Sequence, residues 1–403
     1  GYQITDTLFT SLSTRVYRGV RSSDGTRVIL RTCGSAESEN TPLSAQYSRL
    51  AFTREVLGLF DHENIVGVVD WVDGSATRES QNSWLVMEDI QGIDLWAYAR
   101  QFEGKQVPVE VFLKLAVQLA DALSTIHLAQ VIHKDLHPGN IVINAHSGRV
   151  QIIDFGLASL LSREQPALDT PENLEGILAY LSPEQTGRMN RALDYRTDFY
   201  TLGVTFYQLL AGKTPFEADD ALGMVYAHMA SMQRPVHEIN PTVPVVLSDI
   251  VDKLLCKNAE DRYQSALGLK HDLQRCEHAL SQTGRISGFT LASQDVSDRF
   301  QIQQTLYGRE KEAEQLMQHF YEVAKGQPQL LAVTGSAGMG KSALIHEVHK
   351  PIAAHNGLFI SGKFDQFQKN VPYSAIKQAF KSWLQQALLM PKKNPSGIAE
   401  ATD

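Results

Sequence analysis

With 403 residues, the chain is long enough to form two domains that each bury a hydrophobic core. Its net charge of −8 at pH 7 gives no electrostatic basis for binding nucleic acid or an anionic membrane. The 3 cysteines form no Cys-x-x-Cys pair, which suits a reducing compartment without a cysteine zinc site, so we expect a cytoplasmic location. The longest mainly apolar run, Phe199–Gly212, is too short to span a bilayer, so we expect no membrane insertion. Because the chain begins with Gly1 and stops in polar sequence, we expect it to be part of a longer protein.

The first part of the chain contains short runs typical of a β-rich lobe with one helix. The predicted elements are strands Ile4–Phe9, Thr14–Val20 and Arg27–Arg31, a polar loop Thr32–Ser48, a helix from about Arg49 to Phe60, and strands Val66–Val72 and Trp84–Glu88. Further along, apolar residues recur at helical spacing over Val109–Ala129. This spacing predicts a core helix.

A β-hairpin with polar side chains at one edge is predicted in the middle of the chain. The apolar runs Ile141–Ile143 and Val150–Ile153 flank its turn. Asp135 and Asn140 precede the hairpin and Asp154 follows it, so the hairpin carries all three side chains to the same edge. Two carboxylates and an amide are oxygen ligands for a hard cation, which suits Mg²⁺ on a polyphosphate.

Two plainer interpretations of this stretch stay open at this point. The polar residues would then be an ordinary turn beside a buried hairpin, or a histidine metal site. His133 and His137 are four residues apart, a spacing that suits Zn²⁺ when it lies on a helix. Pro138-Gly139 interrupts any helix here, which argues against the zinc site.

The spacing H-x-D-x-x-x-x-N followed by D-F-G resembles the catalytic and metal-binding loops of protein kinases. The resemblance implies that Asp135 is the base that orients and accepts the substrate hydroxyl proton. It also implies that Asn140 and Asp154 hold the metal ions on ATP. The implied fold is α+β with two lobes, a small β-rich lobe at about 4–90 and a large helical lobe at about 91–282.

The same resemblance implies where the rest of ATP binds. Val16 and Ile29 would pack on the two faces of adenine. The backbone at Glu88 and Ile90 would form the hinge that hydrogen-bonds to adenine, and Asp94 would reach the ribose hydroxyls.

Several residues of the small lobe depart from the kinase pattern where phosphate is held. The three glycine positions of the phosphate-covering loop are Phe9, Ser11 and Thr14, so backbone amides approach phosphate less closely. Arg31 stands at the position of the phosphate-holding lysine. Because arginine prefers a bidentate partner, we expect Arg31 to pair with Glu55 on the small-lobe helix.

Two departures occur in the large lobe. His137 stands where serine/threonine kinases place a lysine on the transferred phosphate, and a protonated imidazole would do part of that task. Ile177 stands where that class has a threonine that ties the substrate segment to Asp135. Both departures weaken the usual evidence for serine/threonine specificity, although tyrosine specificity is not expected.

The stretch Leu178–Gly203, together with His133-Lys134-Asp135, resembles the amino-terminal kinase domain of very large bacterial signalling proteins. Those proteins continue into a P-loop ATPase-like module, a GAF-type sensor domain and often a histidine kinase. The resemblance therefore implies downstream sensor or histidine-kinase domains in the same longer chain.

A second nucleotide site is predicted near the end of the chain. Residues 283–305 are rich in Ser, Gln and Asp and are interpreted as a linker, which would pack, if at all, on the module after it. Residues 306–403 open with L-Y-G-R-E, which resembles AAA-related signalling ATPases. A predicted buried strand, Gln329–Val333, then runs into G-x-x-x-x-G-K-S and a predicted helix, Ala343–His349.

This P-loop context assigns phosphate-binding roles. Backbone amides between Gly335 and Gly340, together with the helix N-terminus, would cradle the phosphates. Lys341 would reach the β- and γ-phosphates, and Ser342 would bind Mg²⁺.

The rest of this α/β module is incomplete. A strand Leu358–Ser361 and a helix near Tyr373–Leu388 are predicted, but no apolar strand ending in an acidic pair comes after them. We therefore expect this segment alone to hydrolyse nucleotide poorly. A steady-state ATPase rate that Lys341→Ala abolishes would contradict that expectation.

The leading hypothesis is a serine/threonine protein kinase domain that uses ATP and Mg²⁺ on a protein substrate. The main alternative is a nucleotide-responsive pseudokinase that acts as a regulatory scaffold, because Arg31 and the lost glycines weaken phosphate binding. A small-molecule kinase with the same fold is a third option. The Ser182-Pro183-Glu184 end of the activation segment argues against it.

Overall fold

The computed structural model describes residues 1–11, 14–33, 43–73, 83–160, 178–186, 193–296, 309–336 and 341–346, with a few single positions between 360 and 380. The chain divides into two compact units. The first unit comprises Gly1–Gln165, Asp194–Pro215 and Arg234–Arg299, and the second comprises Pro166–Leu193, Phe216–Gln233 and Phe300–Asp403.

An antiparallel sheet with strand order β1-β2-β3-β5-β4 forms the small lobe of the first unit. Its strands are β1 Tyr2–Thr10, β2 Thr14–Arg21, β3 Arg27–Cys33, β4 Val68–Val72 and β5 Trp84–Glu88. Val28, Leu30 and Val86 are buried together on one face. Because side chains alternate along a strand, Ile29 and Arg31 lie on the opposite face.

The helix of the small lobe, α1, spans Leu43–Leu57. The predicted polar loop Thr32–Ser48 is therefore wrong in its second half, and the predicted helix starts too late. The buried stripe of α1 is partly polar, since Gln46 and Thr53 are as buried as Leu50. These three positions are spaced as one helix face, but polar side chains on that face concealed the periodicity.

The large lobe is mainly helical, with short strands around the catalytic loop. The strands are β6 Ile93–Asp94, β7 Val131–Ile132, β8 Ile141–Ile143, β9 Val150–Ile152 and β10 Ser159–Leu160. The helices are α2 Leu95–Ala99, α3 Val109–Leu128, α4 Arg196–Ala211, α5 Ala221–Ala230 (which belongs to the second unit), α6 Val236–Ile239, α7 Val245–Leu254 and α8 Ala266–Thr283. The predicted core helix and hairpin are confirmed as α3 and as β8 paired with β9.

Helix α4 is the centre of the large lobe, because nearly all of its residues are buried. It packs against α3 and α7, and α3 in turn packs along α8. The aromatic residues Phe112 of α3 and Phe206 of α4 meet edge to face, with ring centroids 5.0 Å apart. The N-terminal turn of α4 is thereby fixed beside the end of α3, where the catalytic loop begins.

In the second unit, α5 packs against the 3-10 turns Leu178–Tyr180 and Pro183–Thr186. Toward the end of the chain, α9 spans Glu310–Ala324 and α10 spans Lys341–His346. The predicted buried strand Gln329–Val333 is wrong for the described residues, since no strand forms there and Leu330 is 99% exposed. An apolar run becomes a central strand only when neighbouring strands pair with it. The predicted elements Leu358–Ser361 and Tyr373–Leu388 fall mostly outside the described residues.

The segment after α8 packs against the large lobe, although its composition is typical of a linker. Gly284 ends α8 with a φ of 67°, and the residues after it turn back. The Asp295 carboxylate accepts hydrogen bonds from Gln264 N at 2.7 Å, Ser265 N at 2.8 Å and Ser265 Oγ at 2.7 Å. Ser265 is the residue that caps α8, so Asp295 fixes the start of this helix. Through residue 296, the segment thus lies on the lobe before it.

No helix within the described part of the chain is both long and apolar enough to cross a membrane. Cys33, Cys256 and Cys276 are free thiols.

We predict that Asp295→Ala lowers the free energy of unfolding by about 2 kcal/mol, because two backbone amides and a hydroxyl lose a charged acceptor. Chemical denaturation of the full chain measures this change. The neighbouring exposed Gln294 is the control, and Gln294→Ala should change stability by less than about 0.5 kcal/mol. Equal effects of the two substitutions would contradict the role of Asp295.

Candidate active site

The catalytic loop, His133–Asn140, is fixed by one buried carboxylate at the start of α4. Asp198 is fully buried and accepts hydrogen bonds from His133 N at 2.9 Å and from Lys134 N at 2.7 Å. The Nε2 atom of His127, at the end of α3, lies 2.9 Å from the same carboxylate. Lys134 has a φ of 70°, which an L-residue adopts at a cost of about 1–3 kcal/mol. The two backbone bonds to Asp198 hold the loop in this conformation.

Asp135 and Asn140 form one hydrogen-bonded pair. The Asn140 amide nitrogen donates to Asp135 Oδ2 at 2.8 Å and to the Asp135 carbonyl at 3.0 Å. Each of the two residues is only 8% exposed. Within the described structure, Asp135 Oδ1 and Asn140 Oδ1 accept no hydrogen bond. The pair therefore presents two oxygens for other groups.

Asp154 is placed on the other side of the site by an unusual backbone conformation. Its φ is 57°, and its Oδ1 atom accepts from Gly156 N at 3.1 Å and from Arg31 Nη1 at 2.6 Å. A Cβ atom on Gly156 would lie 2.9 Å from Asp154 Oδ1, so a larger residue there would displace this carboxylate oxygen. Burial acts to raise the pKa of Asp154, but the Arg31 guanidinium and the Gly156 amide outweigh it and the pKa is lowered.

The expected ion pair between Arg31 and Glu55 is not formed. Arg31 binds Asp154, whereas Glu55 is exposed on α1. The arginine side chain is longer than that of lysine, and it reaches the Asp154 carboxylate instead of Glu55 on α1. Glu55 is therefore removed from the candidate site.

His137 stacks on a tryptophan that no sequence motif singles out. The rings of His137 and Trp96 are 5.0 Å apart at an angle of 24°. His137 Nδ1 accepts from Gly139 N at 3.0 Å, so Nε2 is the nitrogen that carries hydrogen, and it lies 3.6 Å from Asp135 Oδ2. A Cβ atom on Gly139 would overlap the Trp96 ring. The ring fills the space that any larger residue at Gly139 would need, and no local pattern around Trp96 indicates this.

The residues predicted to contact adenine lie on the same face of the small-lobe sheet as Arg31. Val16 is paired with Arg31 across β2 and β3, and Ile29 is paired with Met87 across β3 and β5. Because Arg31 reaches Asp154, this face is the one directed at the large lobe.

The hinge residues are held by neighbours that the sequence did not identify. Glu88 N donates to the Gly67 carbonyl at 3.0 Å, and the Ile90 carbonyl accepts from Asn144 Nδ2 at 2.6 Å. The Ile90 amide has no partner among the described residues. Asp94 caps α2 by accepting from Ala97 N at 2.7 Å. Asn144 in the hairpin turn is recognisable from the sequence as a turn residue, but its hydrogen bond to the Ile90 carbonyl is not predictable from the sequence.

The turn between β1 and β2 is closed without glycine. Ser11 N donates to the Thr14 carbonyl at 2.8 Å, and Thr14 N donates to Ser11 Oγ at 3.0 Å. The serine hydroxyl thus takes part in holding the turn.

The second nucleotide site is only partly described. Lys341 Nζ donates to the carbonyls of Gly335 at 2.9 Å and Ser336 at 2.7 Å. Gly340 and the side chain of Ser342 lie outside the described residues, as does Ile177.

Among the residues that the structure covers, no cluster of three or more His, Cys, Asp or Glu side chains would hold a metal ion.

Comparison with known proteins identifies the class to which this site belongs. The protein kinase domain family matches residues 11–273, and the AAA ATPase domain family matches residues 305–402. The chain belongs to the protein kinase family. This confirms the two-lobed fold and the predicted start of a P-loop module.

Three relatives indicate the kind of kinase. The chain is 30% identical over 360 residues to hybrid signal transduction histidine kinase G of Dictyostelium discoideum, covering 68% of this chain and 10% of that protein. It is 30% identical over 281 residues to serine/threonine-protein kinase Pkn1 of Myxococcus xanthus, covering 68% and 37%. It is 30% identical over 214 residues to serine/threonine-protein kinase PrkC of Bacillus subtilis, covering 53% and 31%. The chain thus spans well under half of the length of each of these relatives. Similarity to kinases implies that the chain uses ATP together with a divalent metal.

We predict that Gly139→Ala destabilises the chain by about 1–3 kcal/mol, because its methyl group would overlap the Trp96 ring. In a Trp96→Ala background the cost of Gly139→Ala should fall to less than half, which a double-mutant cycle by chemical denaturation measures. Gly288, where an added Cβ has nothing within 4 Å, serves as control. Additive costs at Gly139 and Trp96 would show that the ring is not what requires glycine.

We predict that Arg31→Met raises the pKa of Asp154, because it removes the guanidinium that lowers it. The Asp154 carboxylate stabilises the fold above its unfolded pKa of about 3.9, and this contribution is lost as pH falls through the lower folded value. The destabilisation by Arg31→Met should therefore be largest at neutral pH and shrink below about pH 4.

Carbon-13 NMR of selectively labelled aspartate carboxyl groups measures the Asp154 pKa directly. Arg27→Met, an exposed substitution on the same strand, is the matched control and should leave it unchanged. A pKa of Asp154 that stays low in Arg31→Met would contradict this assignment.

Proposed function

We propose that this chain transfers the γ-phosphoryl group of ATP to a serine or threonine hydroxyl of a protein substrate. The observation that carries the proposal is the Asp135–Asn140 pair, in the loop held by Asp198. Ile153, the neighbour of Asp154, donates from its amide to the Asn140 carbonyl at 2.9 Å, which ties Asp154 to this pair. A kinase-like site that had lost its activity would have no need to keep this arrangement of side chains. Similarity to serine/threonine kinases also favours phosphoryl transfer.

Asp135 would act as the base through one particular oxygen. Its Oδ2 atom accepts from Asn140, whereas Oδ1 has no partner among the described residues. Oδ1 is therefore the atom that would accept the proton from the substrate hydroxyl. Burial and the fixed loop would hold it in position before the substrate arrives.

The residues fit a hard divalent cation, and we propose Mg²⁺. Asn140 Oδ1 and Asp154 Oδ2 are oxygen donors without a partner in the described structure, and such oxygens suit Mg²⁺ on a polyphosphate. When bound, the ion would neutralise charge on the phosphates. The chain's own task is to hold these two oxygens, and Arg31 keeps Asp154 ionised for it.

The remaining predicted residues would bind and orient ATP and substrate. His137 Nε2–H would donate to the transferred phosphoryl group, and the remaining Arg31 N–H groups would contact the other phosphates. Val16 and Ile29 would pack on adenine, while Asp94 would reach the ribose. The free Ile90 amide and the Glu88 backbone would form the hinge contacts.

A second nucleotide would bind at the P-loop, as the match to the AAA ATPase domain family suggests. The backbone from Gly335 to Gly340 would surround its phosphates, Lys341 would contact the outer phosphates, and Ser342 would hold a second Mg²⁺.

We also propose a cytoplasmic location and a place in a longer signalling chain. Unpaired cysteines and the use of ATP support the first. Similarity to a hybrid histidine kinase, of which this chain covers 10%, supports downstream sensor or histidine-kinase domains.

The test supplies the full chain with γ-labelled Mg-ATP and a generic protein substrate, and counts transferred phosphate. Asp135→Asn should reduce transfer by at least about 100-fold, because the base is lost while the shape is kept. Lys341→Ala is the matched control and should leave transfer intact, since it alters only the P-loop.

Two results would contradict the proposal. Transfer that survives Asp135→Asn would place the activity elsewhere. A chain that binds Mg-ATP without transferring phosphate would instead be a regulatory pseudokinase. Increased transfer by Arg31→Lys would indicate an active but impaired phosphate site.

A further inference from the structure

A cavity of about 160 Å³ lies in the large lobe beside the catalytic loop, and nothing in the proposed mechanism uses it. We call it the basic cavity. Its apolar wall includes Trp96 of α2, Pro138 of the catalytic loop and Leu209 of α4, and its rim carries Arg100 and Lys105. Its volume suits one side chain rather than a nucleotide.

The α4 end of the basic cavity offers no open acceptor to a ligand. Helix C-termini normally leave four carbonyls unpaired, but here all four have donors. The Gln208 carbonyl accepts from Gly212 N at 2.8 Å, and the Leu209 carbonyl accepts from Val107 N at 2.7 Å. Those of residues 210 and 211 accept from Asn240 Nδ2 at 2.9 Å and Gln106 Nε2 at 3.4 Å. A ligand that donates hydrogen bonds therefore finds little to bind at this wall.

The rim, by contrast, presents two positive charges without acidic partners. Arg100 and Lys105 are both exposed, and neither forms an ion pair with any residue that the structure describes. Lys105 has a φ of 59°, which L-residues adopt at some cost. It comes directly after Gly104, whose carbonyl lies so close to Gly212 that a Cβ atom on Gly212 would overlap it. The turn that carries Lys105 is thus fixed against α4, and the charge is held at the rim in advance.

The basic cavity shares a wall with the catalytic machinery. Trp96 lines the cavity and stacks on His137 at 5.0 Å, and His137 Nε2 lies 3.6 Å from Asp135 Oδ2. An extended peptide advances about 3.3 Å per residue. A peptide whose hydroxyl lies at Asp135 would therefore reach the cavity about two to four residues away.

We propose that the basic cavity binds an acidic side chain, Glu or Asp, of the protein substrate about two to four residues from the residue that accepts phosphate. The aliphatic stem would pack on Trp96 and Leu209, and the carboxylate would pair with Arg100 and Lys105. This specificity rests on the proposed kinase function, because it assigns part of the substrate for that same site.

The test uses the full 403-residue chain and serine peptides that differ only in Glu or Gln at one position, scanned along the peptide. The expected result is a kcat/KM about tenfold higher for Glu at one position near the serine. Arg100→Glu combined with Lys105→Glu should abolish this preference and favour Lys at the same position. Lys114→Glu combined with Arg285→Glu makes the same change in net charge at exposed sites off the cavity, and should keep the preference for Glu.

Binding is measured in parallel, so that failure of the kinase proposal and failure of this one are distinguishable. Fluorescence anisotropy of a labelled Glu peptide and its Gln counterpart should show weaker binding of the Glu peptide by the rim variant only. A chain that transfers no phosphate but shows this rim-dependent binding would retain the acidic site and lose the kinase function.

Three outcomes would overturn the acidic site. They are equal use and equal binding of Glu and Gln peptides by the unmodified chain, a preference for Glu that persists in the rim variant, and the loss of preference in the Lys114 and Arg285 variant as well. Thermal denaturation of both double variants checks that each retains the fold.

Discussion

The active site depends on the buried carboxylate of Asp198. A fully buried charge is costly unless hydrogen bonds replace its hydration, and here two backbone amides and the His127 ring do so. Those bonds offset the strained backbone at Lys134 and set the direction in which Asp135 leaves the loop. Because Asp198 lies on α4, the most buried helix of the lobe, its hydrogen bonds attach the catalytic loop to the packed core.

Much of the fold could be predicted from patterns that local physics makes reliable. Helix α3 showed a clear helical period, and the β8–β9 hairpin showed two apolar runs around a turn. The bounds of both agree with expectation to within a residue or so. The spacing from Asp135 to Asn140 and Asp154 predicted that the three would meet at one edge. The start of α1 was missed, since Gln46 and Thr53 occupy its buried face.

What the sequence did not reveal depends on distances across the fold. Helix α3 and strand β7 separate Trp96 from His137 in sequence, so their stacking has no local signature. The choice of Arg31 between Glu55 and Asp154 turns on reach and orientation, which composition does not encode. Likewise, the strand expected at Gln329–Val333 needs partner strands, and an apolar run says nothing of their presence.

Arg31 and Asp154 are also where this site differs most from expectation. A guanidinium beside the carboxylate that we propose as a metal ligand keeps that carboxylate ionised, yet it occupies one of its two oxygens. A larger residue at Gly156 would displace the same carboxylate oxygen. Under the proposed roles of Arg31 and Asp154, phosphate binding and metal binding are coupled through one side chain, and a change at Arg31 would affect both.

The contact between Asp295 and Ser265 bears on the order in which the lobe is completed during synthesis. The two residues are 30 positions apart in sequence, and Asp295 comes later. When α8 first leaves the ribosome, its capping residue Ser265 therefore does not yet have the Asp295 carboxylate to bind. Domains generally fold as units, with the N-terminal one first during synthesis. The kinase lobe therefore has all the contacts of its final helix only after residue 295 has been made, when the chain is already entering the next module.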